Sequence, residues 1–103
     1  MTFWNTATLP LAEFRPGMMS QAEMGDHLTM VCLEIAPHLE DAGHEHPFDQ
    51  CGIILEGQLE MSIGTERRTL GPGQAFFIPA GERHGWKTTD SPVKALDVTP
   101  KQT

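Results

Sequence analysis

At 103 residues the chain is of single-domain length, and its 39% hydrophobic and 20% charged residues exclude wholesale disorder. Seven Lys and Arg against fourteen Asp and Glu leave a formal charge of −7. That is the wrong sign for releasing counterions from phosphates or for adhering to an anionic membrane, so nucleic acid and membrane are excluded as partners.

Residues 1–11 read as an arm ahead of a domain spanning 12–103. Phe3 and Trp4 are its aromatic anchors, set either against a partner subunit or against the domain's own end. The stretch lacks the basic start and apolar centre of a secretory signal, and no apolar run approaches the roughly 20 residues of a membrane span, so cytoplasm is the expected location. Met30 to Ile35 reads as a strand with both faces mostly apolar. Ile53 to Leu55 is a short apolar run, and Glu56-Gly57 turns it into Leu59–Ile63, which alternates with period two as one arm of a hairpin. Gly64-Thr65 makes the next turn, with Arg67 to Leu70 as the return strand. Ala75 to Ile78, Arg83 to Thr88 and Val93 to Val98 complete the set. Cys32 and Cys51 lie in apolar runs as small hydrophobes, and two cysteines make no disulfide framework. No stretch holds a helical apolar stripe for twelve residues without Gly or Pro, so the spacing predicts an all-β sandwich or barrel of eight or more short strands.

The chemistry is concentrated in Gly43-His44-Glu45-His46-Pro47-Phe48-Asp49-Gln50. Side chains at i and i+2 of an extended strand share a face, so His44 and His46 project together. Gln50 keeps that parity and offers a carbonyl oxygen after a turn. A second segment, Gly73 through Pro79-Ala80-Gly81 to His84, delivers a third imidazole at the start of a strand. Trp86, two residues on, faces the same side, either as core filler or as a pocket wall. Asp49 reads as a solvated acid or a support to the site, Glu45 as a structural acid facing away, and His27 and His38 as exposed or hydrogen-bonded residues. Neutral imidazole is the commonest metal ligand and suits several transition metals alike. Zn, Ni, Fe or Mn is the expected cofactor. Three imidazoles and a neutral amide leave the ion's full charge in place, which favours a small anionic oxygen ligand.

These residues resemble the cupin superfamily. His44, His46, Gln50 and Gly57 match its first motif, and Gly73, Pro79, Gly81 and His84 its second, with Thr88 where Asn is often found. The resemblance implies a double-stranded β-helix, or jelly-roll barrel, with a metal held by His44, His46, Gln50 and His84. The run from His44 to Gly57, with Leu96-Asp97-Val98-Thr99-Pro100, is similar to the pectin-degradation cupins. That likeness implies ring opening of unsaturated uronate sugars, with Asp97 moving a proton. Those relatives commonly carry Phe at the position of Thr99 and, a few residues later, an Arg suited to clamp the uronate carboxylate; this chain lacks that Arg, and Lys101 offers in its place a point charge but no bidentate fork. The expected function is an isomerase-like metalloenzyme acting on a small sugar acid or related oxyanion. The alternatives are an Fe(II)-dependent oxygenase and a non-catalytic small-molecule-binding module. An open sheet edge and the aromatic arm predict a homodimer.

Overall fold

The computed structural model describes residues 1–102. Ten strands follow one another: β1 (Ala12–Arg15), β2 (Met18–Met24), β3 (Leu28–Ile35), β4 (Glu40–His44), β5 (Gln50–Glu56), β6 (Leu59–Ile63), β7 (Glu66–Leu70), β8 (Ala75–Ile78), β9 (His84–Thr88) and β10 (Val93–Pro100). They form two antiparallel sheets, one ordered β1-β2-β3-β10-β5-β8 and the other β4-β9-β6-β7. Among the described residues there is no helix, and so none long and apolar enough to cross a membrane. The expected strands are all present, several a residue or two longer than the apolar pattern indicates. Three more, β1, β2 and β4, were not expected.

The core gathers at one end. Ile54, Leu59, Met61, Val93 and Ala95 form its buried cluster, with Phe76 and Trp86 packed against them. Inward rows then change character along each strand. On β10 the row runs Val93, Ala95, Asp97, Thr99, and on β5 it runs Ile54, Gly52, Gln50. Aliphatic side chains close one end, and polar ones line the other.

Cys32 has the opposite parity to Val31 and Leu33, so it belongs to the outer face of the larger sheet, yet it is fully buried. On the same side of the sheet, Lys94 Nζ donates to the Thr6 carbonyl at 2.9 Å. The amino-terminal segment therefore lies across its own sheet, with Trp4 half-buried and Phe3 exposed. Both cysteines are free thiols. Thr88 is buried and braces the chain: its hydroxyl donates to the Ala36 carbonyl at 2.8 Å and accepts from the Leu39 N–H at 3.0 Å.

Candidate metal centre

His44, His46 and His84 converge at the polar end. Their ring centroids lie 4.4–4.8 Å apart, and one nitrogen from each falls within 4.8 Å of the others. The local fold that achieves this differs from the expected single extended strand. His44 is the last residue of β4, paired across the sheet with His84 at the start of β9. His46 lies beyond the strand, in the loop before β5. That loop is fixed from the other motif: Gly81 N–H donates to the His46 carbonyl at 2.7 Å, and Ala80 N–H donates to Asp49 Oδ1 at 2.9 Å. Asp49 thus staples the turn at Pro79–Gly81 to the loop carrying His46. The His46 ring stacks on Phe48, with centroids 4.5 Å apart and planes within 1°.

Hydrogen bonds set the tautomers. His84 Nδ1 lies 3.0 Å from the Glu82 carbonyl, which can only accept, so Nδ1 carries the proton and Nε2 keeps its lone pair. His44 Nδ1 lies 3.0 Å from Asp41 Oδ2, and the same reasoning leaves its Nε2 unprotonated. Asp41 also accepts from Gly43 N–H at 3.0 Å. Burial raises the Asp41 carboxyl, but the bonds from His44 and Gly43, with the charges of His44 and Arg15, outweigh it and hold the group below its ordinary value.

A strand normally puts residues three apart on opposite faces. Here the β4–β9 register slips between Asp41 and His44, inserting one extra residue, and the bulge brings both to the same face. Gly43 sits at that bulge with φ +139°, where a Cβ would come within 3.1 Å of the Arg83 guanidinium.

Among the described residues, two buried side-chain nitrogens, His84 Nε2 and His46 Nδ1, have no hydrogen-bond partner. For His84, whose proton sits on Nδ1, the orphan is the Nε2 lone pair, which is costly to bury unless something occupies it. Burial, reinforced by the neighbouring His84 and His44, pushes His46 below the usual imidazole value, towards the neutral form a cation requires. His44 Nε2 and His46 Nε2 are 3.0 Å apart. Two nitrogens bound to one ion at about 2.1 Å, at angles between octahedral and tetrahedral, lie roughly 3.0–3.4 Å apart. The donor set therefore fits a divalent transition metal.

Gln50 and Asp97 occupy the facing sheet. Gln50 Nε2 donates to Asp97 Oδ2 at 3.0 Å, and among the described residues its carbonyl oxygen has no hydrogen-bond partner. Burial pushes Asp97 up to about 6, against the opposing pull of the Gln50 hydrogen bond. Gly52 makes room for the pair. It is the cross-strand partner of Asp97, and a Cβ there would lie 2.5 Å from Asp97 Oδ1 and 2.7 Å from the Leu96 carbonyl.

One cavity of about 280 Å³ unites these groups: His44, His46, Gln50, His84, Trp86 and Asp97 all line it. Its size is just under the ~300–1,000 Å³ typical of small-molecule sites. Lys101 does not line it; its side chain is exposed, and its backbone N–H is tied to the His27 carbonyl at 2.9 Å. The cavity lining on β10 ends at Thr99, two residues short of Lys101, so the lining gives no support to Lys101 as a point charge in place of the missing Arg. Arg15, which the sequence did not single out, lines the cavity instead. Glu45 is exposed, as are His27 and His38.

Comparison with known proteins agrees with this architecture. The cupin domain family matches residues 31–99. The pectin degradation protein KdgF of Dickeya dadantii is 30% identical over 79 residues, covering 75% of this chain and 72% of that protein. The dimethylsulfoniopropionate lyase DddQ of Ruegeria pomeroyi is 41% identical over 54 residues, 52% of this chain but only 27% of the lyase. The chain likewise spans 39% of the H2HPP isomerase of Bacillus subtilis, at 26% identity. Among solved structures, KdgF from Halomonas sp. superposes with a TM-score of 0.87 at 23% identity, covering all of this chain and 96% of that one. The chain belongs to the cupin family and is a small cupin similar to KdgF.

Proposed function

We propose that this cupin is a metal-dependent, isomerase-like enzyme for a small anionic sugar acid or a related oxyanion. His44, His46, His84 and the Gln50 carbonyl would hold a divalent Zn, Ni, Fe or Mn ion. Once bound, the ion supplies a Lewis acid that favours negative charge on a substrate oxygen. The observation that carries the reading is the Gln50–Asp97 pair facing three convergent imidazoles in one small cavity.

The chain's own groups divide the work. Asp41 and the Glu82 carbonyl lock two imidazoles in the tautomer that presents Nε2. Gln50 ties the amide that faces the ion to the carboxyl that moves the proton. Asp97 holds that proton at Oδ1 or Oδ2, near the neutral-to-acid boundary at which a group can both give and take it. Trp86 walls the cavity on the core side, packed against the buried cluster that includes its cross-strand partner Met61.

One relative named as an isomerase supports that reaction class, and one named as a pectin degradation protein supports a sugar-acid ligand. The same reading takes a cytoplasmic homodimer. Edge strands β1 and β8 each carry an exposed phenylalanine, Phe14 and Phe77, suited to edge-to-edge pairing.

The test combines metal analysis with a proton-exchange assay. Wild-type protein should bind about one divalent ion per chain, and His84→Ala should lose it. In D₂O, NMR of an unsaturated uronate should show conversion to the open-chain keto form with solvent deuterium incorporated. A wild type that takes up no metal sinks the metal reading. Oxygen consumption under Fe(II), without isomerisation, would replace the isomerase by an oxygenase; binding without either would leave a ligand-binding module.

A further inference from the structure

Among the described residues, Arg15 is the only Lys or Arg lining the cavity, in a chain whose formal charge is −7. It reaches the cavity by an irregularity. The β1–β2 register slips between Glu13 and Arg15, so Phe14 is an extra residue, and both Phe14 and Arg15 end on the cavity side. The guanidinium is held by its inner edge: Nε–H donates to Met18 Sδ at 3.0 Å, and Cζ lies 5.5 Å from the Phe14 ring centroid. Sulfur is a weak acceptor, so this contact positions the group without satisfying it.

Among the described residues, neither Nη atom of Arg15 makes a hydrogen bond or meets a carboxylate. Elsewhere Arg67 pairs with Glu60, Arg68 with Glu66 and Lys94 with Glu56, while Arg83 donates to the Gly43 carbonyl. Asp41 feels the Arg15 charge but makes no ion pair with it, its oxygens accepting from His44 and Gly43 instead. Arg15 thus offers an open two-nitrogen fork, the shape that binds a carboxylate in bidentate fashion.

We propose that Arg15 binds the ligand's carboxylate, so that a hydroxylated acid spans the cavity from the β1 guanidinium to the imidazole cluster. The proposal rests on the anionic-ligand reading above and adds the residue that selects an acid over its neutral counterpart.

Titration calorimetry on metal-loaded protein tests it, with D-galacturonate and its neutral methyl ester as probes. Wild type should prefer the acid by about 10- to 100-fold, the effect of one or two charge-assisted hydrogen bonds. Arg15→Gln should erase that preference with metal content unchanged, and Arg15→Lys should restore only part of it. An Arg15→Gln protein that keeps the full preference overturns the assignment to Arg15, and so does one that loses its metal. A wild type with no preference fails the anionic-ligand reading itself, and the Arg15 assignment falls with it.

Discussion

Replacing Asp97 by Asn removes a carboxyl that folding makes harder to ionise. Burial takes this group from an ordinary 3.8 to about 6. A carboxyl with the higher pKa in the folded chain binds its proton more tightly there than in the unfolded chain. Its contribution therefore favours the folded state at low pH, and that advantage is lost as the pH climbs from 3.8 through 6. A shift of about two units at ~1.36 kcal/mol each makes the loss roughly 3 kcal/mol. Asn keeps the shape, and its carbonyl still accepts from Gln50 Nε2, so the variant escapes the penalty without opening a cavity. Metal-free Asp97→Asn should thus gain about 3 kcal/mol on the wild type between about pH 4 and about pH 7. Groups common to both chains cancel in that difference. Guanidinium unfolding of chelator-stripped protein, followed by tryptophan fluorescence across the pH series, measures it. A difference that stays flat with pH, or one in which the wild type gains, would refute a buried and desolvated Asp97.

Two further outcomes follow from the supports of the site. Asp41→Ala removes the acceptor that orients His44, and metal affinity should fall about 10- to 100-fold in competition with a chromophoric chelator; wild-type affinity would show that His44 needs no such partner. Gly52→Ala places a methyl group 2.5 Å from Asp97 Oδ1 and 2.6 Å from Phe76 Cζ. It should cost about 1–3 kcal/mol in thermal unfolding and abolish deuterium incorporation while metal content survives; full exchange activity would show that the carboxyl does not need that space.

Legibility followed burial. Leu59–Ile63 and Val93–Val98 alternate because one face packs on the core, so the pattern announces them. The strands that were missed, β2 (Met18–Met24) and β4 (Glu40–His44), are half or fully exposed along much of their length, as β1 is throughout. Hydrogen bonding to neighbours holds them, and that leaves no apolar signature. The ligand candidates could be named because fixed spacing marks them, yet parity alone misplaced how His44 and His46 meet. Asp41 and Arg15 were invisible for one shared reason: each owes its inward direction to a bulge. A period-two reading assigns such residues to the wrong face, and only Gly43 in the sequence hints at the first bulge.

That pattern bears on how the site works. The imidazoles of His44 and His84 belong to the smaller sheet, and Gln50 with Asp97 belongs to the larger one. In the proposed reaction two of the imidazoles and the proton-carrying Asp97 therefore stand on opposite walls, and Gln50 would join them, its amide N–H on Asp97 and its carbonyl towards the ion. Neither wall is completed by regular pairing. A bulge in β4 adds Asp41 to one, and a strand glycine, Gly52, clears space for Asp97 on the other. Regular alternation would have filled both positions with side chains facing the core. The two departures exchange local packing for polar groups aimed across the gap, and the aliphatic end around Ile54 and Val93 supplies the burial that lets the fold tolerate them.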